Sequence, residues 1–173
     1  MILTGKKIIQ EVQKNRIEIS PFNKKMITTN SYDLLLGNTI IRYKSKILDP
    51  KRRPLFEEMT IPKKGLILKA GDFVLGHSSE YLGSDFYVPI IHGKSGTARM
   101  GLFVHVTADL IDIGSHGRIT FQLHATIPVR LYPGMPIAQV SFWVPKGDIV
   151  LYKGKYQHSK GPMSSMTYKD FNK

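Results

Sequence analysis

Residues 93–122 read GKSGTARMGLFVHVTADLIDIGSHGRITFQ, and this stretch holds most of what the chain says about its fold and chemistry. Lys94, Ser95, Gly96, Thr97 and Arg99 make a short turn rich in donors for an anion. Glycines let backbone amides approach a phosphate closely, and hydroxyl, ammonium and guanidinium groups add side-chain donors. A strand-like run over 103–106 follows, then Thr107, Ala108 and an isolated acid, Asp112, which reads as buried. A second strand pattern closes the stretch. Ile119, Phe121 and Leu123 fall on one face of it, and Arg118, Thr120, Gln122 and His124 on the other. The first face suits a core and the second a polar cavity. Anion donors, a carboxylate and an amide on a facing strand are the parts of a nucleotide pocket.

Working outward, Thr4 is placed to cap a helix running from Gly5 to about Asn15, with Ile8, Ile9 and Val12 as its apolar stripe. From residue 31 onward the pattern is short strands between turn signals. Strands are predicted over 31–36, 39–43, 65–68, 73–78, 87–92, 103–106, 118–124, 129–131 and 137–144. Pro133-Gly134 suits a type II turn. Residues 44–64 are polar, basic and Pro-containing, so they read as an exposed excursion. The tail from Gly154 reads as a mobile terminus. Many short strands and one or two short helices predict a mainly β barrel or sandwich. A chain of 173 residues without a visible repeat or linker predicts one domain over 1–173.

The net charge is +12, from 25 Lys and Arg against 13 Asp and Glu. These charges are dispersed rather than gathered into a basic block, and no stacking-aromatic platform appears. A solvated surface with a polyphosphate pocket therefore explains them better than nucleic-acid binding, and basicity would draw an anionic substrate inward. There is no cysteine, hence no disulfide framework or thiolate chemistry. The N-terminus lacks the apolar region of a signal peptide, and no apolar run is long enough for a membrane span. A soluble cytoplasmic protein is the expectation. No His spacing matches a metal site. Without cysteine and without H-x-E, the zinc-dependent route to base deamination is excluded in its usual form.

The chain resembles the dCTP deaminase branch of the dCTP deaminase/dUTPase superfamily. Lys94-Ser95-Gly96-Thr97-Ala98-Arg99-Met100-Gly101-Leu102 is similar to the family's R-S-S-x-A-R-x-G-L. His105-Val106-Thr107-Ala108 through Ile111-Asp112-Ile113-Gly114 is similar to H-V-T-A-x-x-I-D-x-G, and residues 117–122 to G-x-I-x-L-E. Residues 30–37, 132–139 and 155–171 resemble further family segments. The resemblance implies a distorted jelly-roll-like, dUTPase-like β-barrel with a short N-terminal helix and a flexible C-terminal tail that covers the nucleotide. It also implies a homotrimer, a dCTP or dUTP substrate, and Mg2+ on the triphosphate rather than a protein-held metal. By the same resemblance, Ser95 and Arg99 contact the triphosphate, with Lys94, Gly96 and Thr97 around it. Asp112 serves the sugar hydroxyl and the catalytic water, Thr107 and Ala108 adjoin the base, and Lys155 and Tyr156 close from the tail.

Five positions depart from the family pattern, one of them Ser159, which stands where the family often has Gln. Lys94 replaces an Arg, Gly96 a Ser, Ser115 an aromatic residue, and Gln122 the catalytic glutamate. The last decides the chemistry. An amide can hydrogen-bond a base edge but cannot take up and return a proton near neutral pH. Loss of a general base lowers a rate by roughly 10²–10⁴-fold. The catalytic set is therefore Asp112, Gln122, Arg99 and Ser95, with deamination in doubt and cleavage between the α- and β-phosphates as the activity that needs no base at 122. A nucleotide-binding protein without turnover is the alternative.

Overall fold

The strand that carries Gln122 is the second longest among the described residues. In a computed structural model describing residues 1–171, it spans His116–Ala125. Its alternation holds from residue 120 onward: Phe121 and Leu123 are fully buried and Thr120, Gln122 and His124 half-exposed, as is Arg118, whereas Ile119, expected on the core face, is only partly buried. In chain order the elements run α1 (Gly5–Gln13), β1 (Glu18–Ser20), β2 (Tyr32–Leu35), β3 (Thr39–Tyr43), β4 (Phe56–Thr60), β5 (Leu66–Leu68), β6 (Phe73–Gly83), β7 (Val88–Gly93), α2 (Ser95–Arg99), β8 (Leu102–Phe103), β9 (the strand of Gln122), β10 (Val129–Leu131), β11 (Pro136–Trp143) and α3 (Tyr168–Phe171).

Every pairing is antiparallel. The largest sheet has the order β4-β3-β6-β9-β8, with β1 added to the far end of β6; β2-β11-β7 forms a second sheet and β10-β5 a third. The chain is mainly β as expected, but its strands make three open sheets rather than one closed barrel. The buried faces of the sheets meet in one core, where Phe121 and Leu123 join Tyr32, Leu34, Ile40, Val74, Val140 and Phe142. Gly134 has φ 76°, and the Met135 amide bonds the Tyr132 carbonyl, as a type II turn requires.

Several expectations need correction. Thr4 makes no side-chain cap, and α1 stops at Gln13, with Asn15 in the left-handed region. The segment 44–64 is not wholly an excursion, because β4 pairs with β3 from Thr39↔Thr60 to Tyr43↔Phe56. As an edge strand it needs only weak apolar alternation, which hides it in the sequence. Strand β6 runs five residues past Ser78. A bulge between His77 and Tyr81 carries it through, with the Ser78 hydroxyl donating to the Glu80 carbonyl and accepting from the Ile119 amide. The turn expected to bind an anion is a short helix, α2, over Ser95–Arg99.

The tail also departs from expectation. It is not a loose terminus, since its described part lies folded along β9. The His158 amide bonds the His116 carbonyl at 2.7 Å, and the Arg118 amide bonds the Ser159 carbonyl at 2.9 Å. The Ser159 hydroxyl returns a bond to the Arg118 carbonyl, and Gln157 bridges the His116 amide and the Gly114 carbonyl. Residues 172 and 173 lie outside the described residues.

Candidate functional site

The solvent-side face of β9 and the tail enclose a cavity of about 550 Å³. Arg118, Thr120 and Gln122 of β9 form its floor, and Ala108 and Leu110 of the loop before β9 form one rim. Tyr43 at the end of β3 and Tyr156, Met163 and Ser165 of the tail form the others. Phe73, Leu75 and Ile119 add an apolar wall. Its size and mixed lining suit an organic ligand with a few polar groups. Among the described residues no carboxylate lines it.

Three hydroxyls tie the tail across this cavity. Tyr43 accepts the Ser165 amide at 3.0 Å, Thr120 the Met163 amide at 3.0 Å, and Tyr156 the Met166 amide at 2.8 Å. Each keeps its own O–H to give. Burial raises the pKa of Tyr43, against the lowering effect of the Ser165 amide. Gln122 is held at both levels. Its backbone amide donates to the Val104 carbonyl at 2.8 Å, and its side-chain oxygen accepts the Val106 amide at 3.3 Å.

His116 stands at the junction of this cavity with the tail's base. Its ring bridges Glu18 at 2.8 Å and Asp85 at 2.9 Å. Burial lowers its pKa, but the two carboxylates outweigh that and hold it above the usual histidine value. His116 therefore fastens β1, the segment after β6 and the tail together.

The structure brings together only some of the residues singled out in the sequence. Ala108, Gln122 and Tyr156 line the cavity. Ser95, Gly96 and Arg99 are exposed on α2, and Thr97 is buried beneath it. Lys94 is paired with Asp33 of β2 and so is partly neutralised. Neither Gly93 nor Gly96 has a positive φ, and a Cβ at Gly96 would meet nothing within 4 Å. The fold itself thus does not require glycine at 96. Thr107 is exposed, and Asp112 is exposed rather than buried. Lys155 pairs with Asp170 within the tail and lies 5.8 Å from the Tyr156 ring centroid. Within one copy, Ser95, Arg99 and Asp112 lie outside the cavity that holds Gln122. Tyr43, Met163 and Ser165 were not foreseen, because only the folded tail makes them neighbours. Arg118 and Thr120 were visible on the polar face of the β9 pattern.

No helix among the described residues is long and apolar enough to cross a membrane. Among the described residues no group of three or more His, Cys, Asp or Glu side chains is arranged to hold a metal ion.

Known proteins share this architecture and sequence. The chain is 41% identical over 174 residues to a Clostridium beijerinckii protein named "dCTP deaminase, dUMP-forming", covering all of both chains. Proteins of the same name from Cytophaga hutchinsonii and Leptospira biflexa are 40% and 38% identical over 174 residues. A crystal structure of 2′-deoxycytidine 5′-triphosphate deaminase from Agrobacterium tumefaciens superposes with a TM-score of 0.67 at 20% identity. The match covers 83% of this chain and 48% of that one, and it speaks to the fold. The family model described as dCTP deaminase-like matches residues 2–144, which include β9 and Gln122 but stop short of the tail. On this similarity, running the full length of its relatives, the chain belongs to the dCTP deaminase-like family.

Proposed function

We propose that the protein is a pyrimidine deoxynucleoside triphosphate hydrolase, acting on dCTP or dUTP, in which phosphate cleavage outpaces deamination. One observation carries this reading: the amide of Gln122 stands on the floor of a cavity without a carboxylate. Deamination, dCTP + H2O → dUTP + NH3, needs a group that moves protons between water, N3 and the leaving amine, and an amide cannot do that. Cleavage, dUTP + H2O → dUMP + pyrophosphate, breaks the bond between the α-phosphorus and its bridging oxygen. It needs an oriented water and positive charge around the phosphates. The relatives' names describe an overall reaction ending at a monophosphate, which supports phosphate cleavage on this scaffold.

Magnesium enters with the triphosphate as part of the substrate, where it offsets phosphate charge. The anion donors Ser95 and Arg99 lie outside the cavity of their own chain. We assign them to the cavity of a neighbouring copy in a homotrimer, with Asp112 at the junction. The exposed apolar side chains Phe103, Val106 and Leu110, on β8 and the loop after it, support an interface there.

The test is incubation of the protein with dCTP and with dUTP in the presence of Mg2+, resolving dUTP, dCMP, dUMP and pyrophosphate by chromatography. The expected outcome is pyrophosphate release with little deaminated product, and a rise in deamination with Gln122→Glu. Rapid conversion of dCTP to dUTP or dUMP by the unsubstituted protein would overturn the mechanism. Tight nucleotide binding without pyrophosphate release would favour the second reading, a binding protein, which rests on the same amide.

A further inference from the structure

We infer that Arg118 makes this cavity a site for a phosphate monoester within a single copy, with the phosphate on the guanidinium and the organic part against the apolar wall. The inference rests on the nucleotide reading above and adds to it an anion-holding point separate from the turn of Ser95 and Arg99.

The other cations named above are engaged or lie elsewhere. Lys94 is taken by Asp33, and Lys155 by Asp170. The His116 ring reaches the cavity but is bonded to Glu18 and Asp85. Arg99 lies outside the cavity of its own chain. Among the described residues, Arg118 is the one Lys, Arg, Asp or Glu that lines the cavity. Its backbone is bonded to Ser159, whereas its guanidinium makes no ion pair or hydrogen bond among the described residues. Glu80, buried in the β6 bulge, feels its charge but does not line the cavity. Burial raises the pKa of Glu80, against the Leu35 amide and Arg118, which weakens it as a counter-ion.

A guanidinium stays charged at any working pH and presents its N–H groups in a planar fork that matches two phosphate oxygens. Arg118 holds that fork half-exposed beneath the tail, beside the wall of Phe73, Leu75 and Ile119, where an anion gains more than in open water. Thr120 lies two residues on along the same face of β9, about 7 Å away between Cα atoms. Its hydroxyl accepts the Met163 amide and keeps an O–H that a phosphate oxygen can accept. With no carboxylate in the lining, a phosphate monoester carrying close to two negative charges meets no repulsion there. The apolar wall gives its organic part a surface that inorganic phosphate would leave uncovered. Under the reading above, the occupant is the nucleoside monophosphate left by cleavage.

The test is calorimetric titration of the full chain with dUMP, deoxyuridine and inorganic phosphate, repeated with Arg118→Gln. dUMP should bind about tenfold to a hundredfold tighter than deoxyuridine, the scale of a hydrogen-bonded charge. It should also bind tighter than inorganic phosphate. Arg118→Gln should bring dUMP down to the affinity of deoxyuridine and leave deoxyuridine unchanged. In Arg99→Ala, the non-cleavable α,β-imido analogue of dUTP with Mg2+ should bind more weakly while dUMP binding is kept. Equal affinities for dUMP and deoxyuridine overturn the inference, as does a dUMP affinity that survives Arg118→Gln. Inorganic phosphate binding as tightly as dUMP overturns the monoester class. Parallel loss of dUMP and the analogue in Arg99→Ala would place the phosphate on a neighbouring turn instead. Binding of the analogue but not of dUMP sinks the inference and leaves the nucleotide reading in place; binding of neither by folded protein sinks both.

Discussion

A methyl group at Gly117 should open the tail without unfolding the protein. Gly117 is buried in β9 where the tail crosses it. A Cβ there would stand 2.5 Å from the Ser159 hydroxyl and 2.8 Å from the Ser159 backbone nitrogen, whereas ordinary contact begins at 3.4 Å. The hydroxyl can rotate away but the backbone nitrogen cannot, so Ser159 must retreat by about half an ångström or more. That displacement breaks the bond from the Arg118 amide to the Ser159 carbonyl and the return bond from the Ser159 hydroxyl. At about 1 kcal/mol each, the loss is roughly 2 kcal/mol, or about thirtyfold in the equilibrium between closed and open tail. Hydrogen–deuterium exchange reads this directly, because the Met163, Ser165 and Met166 amides bond to Thr120, Tyr43 and Tyr156 only while the tail is closed. Gly117→Ala should speed exchange at these three amides by about that factor, with buried β9 amides such as Phe121 little changed. Gly161→Ala is the control, since a Cβ there meets nothing within 4 Å. Unchanged exchange at the three amides in a folded Gly117→Ala protein would refute the claim that Ser159 holds the tail down.

Two further outcomes follow from the structure. Glu11 is covered in full yet lies just beneath the surface, against Lys7 and Arg16, which are 43% and 37% exposed. Burial alone would raise its pKa, but bonds from Lys7, Tyr87 and Arg16 bring it down from 4.5 to about 2. The charged form is thus favoured in the folded state, so its stabilisation is complete above pH 4.5 and fades as pH falls toward 2. After screening by nearby solvent this contribution is about 1–2 kcal/mol. Denaturant melts of the protein and of Glu11→Gln should differ by at least that at pH 7 and converge progressively below pH 4.5; a constant gap would rule the network out as its source. Mixed refolding of Arg99→Ala with Arg118→Ala should restore nucleotide cleavage at about one site in four, if one copy's turn completes another's cavity. No recovery in mixed trimers whose formation is verified by mass would exclude the shared site.

Legibility in the sequence follows how local each signal is. Residues 39–43 and 129–131 were delimited to the residue, because alternation and flanking turn signals fix them locally. β9 was found from its alternation alone, and that alternation also placed Gln122 on the cavity side. β4 escaped because an edge strand of sequence FEEMT buries little and reads as a polar loop. Glu11 sits on the buried side of α1, where the pattern shows only a charge; its three partners come from Lys7 one turn back, Arg16 beyond the helix and Tyr87 far along the chain. The tail has neither strand nor long-helix periodicity. Its order comes from amides bonded to side chains in β3, β9 and its own Tyr156, which no local pattern announces. Asp112 looked buried because its neighbours Ile111 and Ile113 are apolar, yet the loop leaves its carboxylate in solvent.

The tail does two things to the cavity at once. By covering β9 it narrows the space and limits water beside the apolar wall of Phe73, Leu75 and Ile119. By spending lone pairs of Tyr43, Thr120 and Tyr156 on its own amides, it also biases the polarity of the groups left facing a ligand. Gln122 receives the same treatment from the Val106 amide. Closure and the shaping of the cavity's polar lining are therefore one event in this fold. An open tail returns one lone pair to each of the three hydroxyls, which in the closed form keep their O–H and one lone pair for a ligand. Gly117→Ala, which loosens the tail and leaves Gln122 in place, should then weaken binding of a non-cleavable α,β-imido deoxynucleotide by up to the roughly thirtyfold by which it opens the tail. Unchanged affinity in a folded Gly117→Ala protein would show that the tail lies over the cavity without helping to hold the ligand.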